Sequence, residues 1–363
     1  VTTVPDPAEP LRVVVVGAGA IAEGGHLPAL RDAGDTEVVA IVDVDADRAR
    51  GLAERWGVPA SGTDLAAVLR EQRPHLVCVC TPPGAHRDAV TAALDAGAWV
   101  WCEKPPALSL AEYDEMAAHE REGGPYVSYV FQQRSGSASH ALRRQIALGE
   151  LGRPLVAVCH TLWFRDEEYY AVPWRGRWDT EGGGPSMGHG IHQMDLMLWL
   201  LGDWSEVSAA TGTLDRDVET EDVSMAVVRF ESGAMASVVN SVLSPRQESY
   251  LRFDFSDATV EVSHLYGHGN DDWTWTPAPH VPAGRTADWR PAGDEPSSHT
   301  AALRDVLDSL RKGVRPPGSG HDGRRSLELV AGLYQSAAQG RPVRRAELVA
   351  GNPFYAAMHG GRA

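Results

Sequence analysis

The chain has 363 residues, 43% hydrophobic and 23% charged, a balance that suits a soluble protein of two domains. Its 33 Lys plus Arg against 49 Asp plus Glu give a formal net charge of −16, so phosphate backbones are repelled and neither nucleic acid nor an anionic membrane is an expected partner. No apolar run approaches the roughly 18–20 residues needed to cross a bilayer. VTTVPDPAEP, without a basic start or an apolar stretch, reads as a short disordered lead and not as a secretion signal.

RVVVV at 12–16 is a continuous apolar run of the kind found in a central parallel strand. EVVAIV at 37–42 is a second strand, and 46–56 carry helical spacing that Gly57 ends. HLVCVC at 75–80, AWVWC at 98–102 and YVSYV at 126–130 are further strands. Between them lie a helix over 85–97 and one that starts at a capping box, Ser109 with Glu112. The alternation predicts a parallel sheet covered by helices. Cys78 and Cys80 point to one side of their strand. With Cys102 and Cys159 they read as small buried thiols of a reducing cytoplasm, since CxC without partner cysteines is a poor zinc signature.

Gly17, Gly19 and Ala22 form GxGxxA between the first strand and a helix, the context a dinucleotide fingerprint requires. Gly17 permits the tight turn, Gly19 lets the backbone approach a pyrophosphate, and Ala20 and Ile21 open the helix whose N-terminus favours phosphate. Asp43, at the end of the second strand, is placed to accept from ribose hydroxyls. With Asp45 nearby, a 2′-phosphate meets negative charge, so NAD is favoured over NADP. Gly24, Gly25 and Pro28 are expected to kink or restart the first helix beyond its phosphate-facing turn.

TPPGAH at 81–86 and CEKPP at 102–106, together with HLPAL at 26–30, the segment GGGPSMGHGIHQMD at 182–195 and HDGRRSLELVAGLYQSAAQGRPV at 321–343, resemble the Gfo/Idh/MocA family of NAD(P)-dependent oxidoreductases over nearly the whole chain. The resemblance implies a Rossmann domain over 1–125 and, over 126–363, an α/β domain for substrate binding and oligomerisation on a largely antiparallel open sheet. Runs at 154–164, 206–214, 224–230, 234–243 and 250–255 are strand-like, with ESG at 231–233 as a hairpin turn. Residues 267–298, rich in Gly, Pro, Asp and Trp, read as a long surface excursion, with helices returning from His299.

Oxidising an alcohol carbon requires a group that handles the hydroxyl proton. The resemblance gives that role to Lys104 and His192, the first within Glu-Lys-Pro and the second within GGG…H..D. It also implies a cis Lys104–Pro105 bond, and Glu103 near the ribose and nicotinamide. Arg134, His189, Asp195 and Trp174 are expected at the substrate, with Asp195 orienting or charge-balancing the site or binding a substrate hydroxyl. Thr81, Pro82, His86, Gln132 and Arg175 are expected, with Lys104, at the cofactor. Two departures stand out. Gly188 occupies the position where many members carry an aspartate four residues before the histidine, and His189 is expected to fill part of that vacancy. Pro83 replaces a common asparagine. His189 and His192 share a helical face, but no further ligand set completes a zinc site, so no metal is expected.

The function implied is hydride transfer between NAD and a hydroxyl or carbonyl carbon of a sugar, cyclitol or related small molecule, in a homodimer or homotetramer. Two other readings are a glycoside-cleaving enzyme that uses NAD transiently and a non-catalytic nucleotide-binding protein.

Overall fold

The computed structural model describes residues 9–286, 289, 291 and 293–361; residues 1–8, read above as a disordered lead, lie outside them. Two compact units result. The first comprises the chain up to Ala107 with residues 112–130 and 299–324, and the second holds 108–111, 131–298 and the chain from Arg325.

The first unit is a parallel sheet of β1 (Leu11–Val16), β2 (Thr36–Val42), β3 (Ser61–Gly62), β4 (Leu76–Val79), β5 (Trp99–Cys102) and β6 (Val127–Tyr129). Its order is β3-β2-β1-β4-β5-β6, the doubly wound arrangement, and the chain turns back between β1 and β4. β1, β4 and β5 are buried on both faces, which accounts for their unbroken apolar runs. Because Val127–Tyr129 pairs in parallel with β5, this unit runs past residue 125, the boundary expected from the sequence. The helix His299–Lys312 also belongs to it, laying Leu303, Val306, Leu307 and Leu310 into one cluster with Leu27 and Leu30. The two-residue β3 and the helix Leu65–Gln72 had no strong periodic signal. Pro28 does not break the first helix. A π-helical stretch, Ala22–His26, runs directly into the α-helix Leu27–Ala33, and the Leu27 N–H reaches back to the Ala22 carbonyl.

The second unit is built on β7 (Pro154–Phe164), β8 (Trp204–Gly212), β9 (Val223–Phe230), β10 (Met235–Ser241), β11 (Leu243–Phe255), β12 (Ala258–Ser263), β13 (Trp273–Pro277) and β14 (Val343–Arg344). Their order is β13-β12-β11-β7-β10-β9-β8-β14, antiparallel except for β7 with β10. Gly233, at φ +87°, turns β9 into β10 as the ESG signal implied. The excursion expected over 267–298 is partly ordered into the sheet. Val260 and Val262 of β12 pair with Trp275 and Trp273, a five-residue strand concealed by its Gly- and Pro-rich flanks. The helix Ile191–Leu201 is buried along its whole length and packs against β7 and β11. Among the described residues no helix is long and apolar enough to cross a membrane.

Burial also sets a pH dependence. It pushes the imidazoles of His26 and His86 down, and that of His268 to about 4. Unfolded, these rings protonate near 6.5. The stability they confer is therefore present above about pH 6.5 and is lost as pH falls toward the folded values, where the unfolded chain binds the extra protons. His268 alone corresponds to about 2 kcal/mol between pH 6.5 and 5. We expect Tm to fall between pH 7 and 5, with a shallower slope in His268→Asn; equal slopes would remove His268 from the effect.

Candidate active site

Three loops at the C-terminal ends of β1, β4 and β5 carry the residues singled out in the first unit. Gly17 adopts φ +96°, and a Cβ there would stand 2.8 Å from the carbonyl carbon and oxygen of Cys80, so only glycine lets the turn lie against β4. A Cβ on Gly19 would meet nothing within 4 Å, and Gly19, Ala20 and Ile21 are exposed, leaving open space at the first turn of the helix. The Thr81 hydroxyl is buried without a hydrogen-bond partner among the described residues. Open glycine backbone, a helix N-terminus and an orphaned hydroxyl at the point where the strand order reverses fit a dinucleotide pyrophosphate. Pro82 is exposed beside it, and Pro83 is buried.

Asp43 accepts from the N–H of Ala18 at 2.7 Å and of Asp45 at 2.9 Å, and Arg48 lies 3.1 Å from its Oδ1. Removing only the charge should therefore shift cofactor choice. Asp43→Asn keeps an acceptor for Ala18 and leaves Arg48 to meet a 2′-phosphate. We expect the ratio of kcat/KM for NADP over NAD to rise by about tenfold; an unchanged ratio would take Asp43 out of ribose recognition.

The Lys104–Pro105 bond is cis, and Lys104 is half-buried. His86 is wholly buried, with Nδ1 3.1 Å from the Pro105 carbonyl and Nε2 2.9 Å from the Thr81 carbonyl, so its ring is wedged between the β4 and β5 loops and in its neutral form donates to one of the two. Glu103 Oε1 lies 2.9 Å from His26 Nε2 and 3.2 Å from His299 Nε2. Burial by itself would raise the Glu103 carboxyl. The hydrogen bonds from the two rings outweigh that and hold it well below the usual carboxylate range. The π-helical stretch that ends at His26 delivers this ring. His299, read from the sequence only as the start of a helix, arrives from a distant part of the chain. This trio is also the one His/Cys/Asp/Glu group among the described residues whose ligand atoms gather closely, all within 4.8 Å. Two N–H donors on one carboxylate account for it, and His189 and His192 are not part of it.

In the second unit the residues near His192 are packed by glycines. A Cβ on Gly184 would lie 1.8 Å from the Glu221 carbonyl oxygen, one on Gly183 2.2 Å from the Tyr334 hydroxyl, and one on Gly190 1.9 Å from Asn240 Oδ1. Glu221 is buried and accepts from the N–H groups of Gly184 (2.9 Å) and Ser186 (3.0 Å) and from the Tyr334 hydroxyl. Burial nonetheless pushes its carboxyl up. Gly183 and Gly184 thus serve close packing around the Glu221–Tyr334 pair, and Gly190 does so against Asn240. Gly190 begins the helix that carries His192 in its first turn and Asp195 one turn later.

Asp195 and Arg134 meet each other. The guanidinium grips both carboxylate oxygens, with Nε–Oδ2 at 2.5 Å, and Ser326 donates to Oδ1 at 2.7 Å. Both partners are almost fully buried, so the pair anchors the helix beneath His192. The His192 ring stands edge-on to Tyr266, 5.6 Å between centroids, and Gln132 donates to the Tyr266 hydroxyl. His189 is held by Arg165 and Tyr169, each 3.2 Å from its Nε2, and lies edge-on to Trp163 at 5.0 Å. The vacancy at Gly188 is filled from elsewhere: Oε1 of Glu181 lies 3.2 Å from where a Cβ would be, and its Oε2 accepts from the Gly176 N–H at 2.6 Å. His189, expected to fill that space, faces Arg165 instead. Trp174 and Arg175 stack on one another, 4.6 Å from guanidinium carbon to ring centroid. Tyr266, Glu181, Glu221 and Arg165 were not found from the sequence. Only Glu181, directly before the three glycines, and Arg165, directly after an aromatic strand end, carried a local signal.

Comparison with known proteins agrees with this construction. A model described as the oxidoreductase family, NAD-binding Rossmann fold, matches residues 11–131, and the GFO/IDH/MocA C-terminal domain matches residues 139–279. The D-apiose dehydrogenase of Paraburkholderia graminis is 30% identical over 367 residues, covering 96% of this chain and 93% of its own. The chain belongs to the Gfo/Idh/MocA family. Within it, the D-glucoside 3-dehydrogenase of Escherichia coli is 27% identical, covering 93% of this chain and 98% of its own. The WlbA dehydrogenase of Bordetella pertussis, solved with NADH and UDP-GlcNAcA, is 28% identical with a TM-score of 0.83, covering 94% of this chain and 99% of its own. As a Gfo/Idh/MocA protein this chain is an NAD-dependent oxidoreductase, and the glycine turn, Asp43 and Thr81 are the residues that would hold its cofactor.

Proposed function

We propose that the protein oxidises a hydroxyl-bearing carbon of a sugar, cyclitol or related small molecule, or reduces the corresponding carbonyl. The observation that carries this is Lys104, presented by β5 at the same sheet edge as the Gly17 turn, in a family whose named relatives include D-apiose and D-glucoside 3-dehydrogenases. NAD supplies the hydride acceptor. Lys104 donates a hydrogen bond to the reacting oxygen and relays its proton, and His192 takes that proton. Arg134, by gripping Asp195, positions His192 on the helix that His192 shares with Asp195. A panel of sugars, cyclitols and their acids, run separately with NAD and NADP, tests the reading. NADH formation with at least one member is expected; no reduction of either cofactor by any member would overturn it.

Homo-oligomer formation is supported by the exposed sheet face, where Met225, Val227, Met235 and Val156 project from the neighbouring strands β9, β10 and β7. A single-protomer mass by light scattering would remove it. Four buried free cysteines support a reducing cytoplasm as the protein's location.

A further inference from the structure

This chain carries 49 acidic residues, and most of its arginines lie against one. Arg165 and Arg175 are different. Both are half-buried, and among the described residues neither has a carboxylate within 4.0 Å. Arg165, just past the end of β7, donates to the Phe164 carbonyl at 2.8 Å, to Gln247 Oε1 at 3.3 Å and to His189 Nε2 at 3.2 Å. All of these acceptors are neutral. Its guanidinium carbon lies 4.8 Å from the Trp163 ring centroid and 5.1 Å from that of Tyr169. Arg175 stacks on the same Tyr169 ring at 3.6 Å, and its Nε is buried without a hydrogen-bond partner among the described residues. Two cations therefore share one aromatic ring with no carboxylate in ion-pair contact, and Glu181 and Asp166 act on them only from beyond that distance. Burial pushes both guanidinium pKa values down and outweighs the opposing charges of Glu181 on Arg175 and of Asp166 on Arg165; the charge of Arg165 lowers Arg175 further. Desolvated like charges are costly unless an anion joins them.

We propose that Arg165 and Arg175 form an oxyanion-recognition subsite, so that the substrate is a sugar derivative bearing a carboxylate or a phosphate. This rests on the oxidoreductase reading above and narrows its substrate class. The planar forks of two arginines suit either oxyanion, and the aromatic rings beneath them keep the guanidiniums flat and water-poor. His189 fixes Arg165 in turn. Because a guanidinium only donates, His189 Nε2 is the acceptor and its ring is neutral. The subsite is continuous with the proposed base: Trp163 stands beside both His189 and Tyr266, and Tyr266 lies edge-on to His192. An anionic end held at the arginines leaves the rest of the sugar to reach His192.

The test is calorimetric binding to the NADH-loaded protein, where no turnover occurs, with D-glucuronate, D-galacturonate, D-glucose 6-phosphate and neutral D-glucose as probes. At least one acidic probe is expected to bind ten or more times tighter than D-glucose. Arg165→Met and Arg175→Met should each reduce that preference by about 10- to 100-fold, and Arg165→Lys should restore part of it. Uronate against phosphate ester identifies which oxyanion is preferred. Equal binding of acidic and neutral probes overturns the proposal, as does a preference unaltered in folded variants with wild-type Tm. Loss of NADH affinity in Arg175→Met, the arginine expected at the cofactor, or in Arg165→Met, with the acid preference intact, also overturns it by assigning that arginine to the cofactor. Spectrophotometric turnover separates the two readings. Reduction of NAD by neutral sugars alone leaves the oxidoreductase standing without the subsite. If no probe reduces NAD, the oxidoreductase reading loses its support, and the binding ratios still decide the subsite.

Discussion

Lys104→Met is expected to lower kcat for NADH formation by about 100- to 10,000-fold while NADH still binds. Methionine preserves the length and much of the apolar stem but has neither a charge nor a proton to pass. β1, β4 and β5 are adjacent in the sheet, so the Gly17 turn, Thr81 and Lys104 leave it at the same edge. The β5 loop is fixed on both sides of the lysine. His86 reaches the carbonyl of Pro105, and Glu103 is clasped by His26 and His299. Methionine at 104 thus changes the chemistry at one atom more than the shape of the loop. Lys104→Arg separates two roles. Arginine keeps the positive charge but does not give up its proton near neutrality. A relay predicts loss in both variants, whereas simple charge stabilisation predicts substantial recovery in the arginine. Retention of more than about a tenth of wild-type kcat in Lys104→Met would exclude the lysine from the reaction.

His192→Gln should be nearly as damaging, by about 100-fold or more in kcat/KM, and should change the shape of its pH profile. A base that acts only when unprotonated gives kcat/KM an acid limb. Glutamine retains hydrogen-bonding capacity but cannot take the proton, so the limb should vanish and the residual rate should become flat across it. The helix itself should survive. Its anchor is Asp195, gripped by Arg134 and Ser326, and its remaining residues are buried. Tm is therefore expected to move by only a few degrees. An unchanged acid limb in a folded His192→Gln would place the base elsewhere.

The parts of the site that were legible in the sequence are those with local causes. Gly17 sits in a turn whose φ and closeness to Cys80 forbid a side chain, so the fingerprint survives as a short string. His192 and Asp195 share a helix, and their spacing is that of one turn. What Asp195 does was not legible. From the string it either orients or charge-balances the site or binds a substrate hydroxyl, and the string does not name its partners: its carboxylate is bound by Arg134, 61 residues away, and by Ser326, 131 residues away. Similarly, the three glycines read as part of a catalytic segment, yet a Cβ on Gly182 would meet Met187 and Leu108, one on Gly183 Tyr334, and one on Gly184 Glu221. The carboxylate beside Gly188 comes from Glu181, a substitution in space that no position-by-position reading exposes.

By itself, the sequence determined five of the six strands of the first unit and the helices after β2, β4 and β5, the parallel sheet, the glycine turn and the family. Each of these rests on periodicity, on backbone conformation or on short motifs, which are properties of neighbouring residues. Only the tertiary structure decided which distant groups neutralise one another: His299 with Glu103, Arg134 with Asp195, and the two arginines left facing Tyr169 without a carboxylate. Charge compensation depends on separation in space and on exclusion of water, and both are set by the fold and not by distance along the chain.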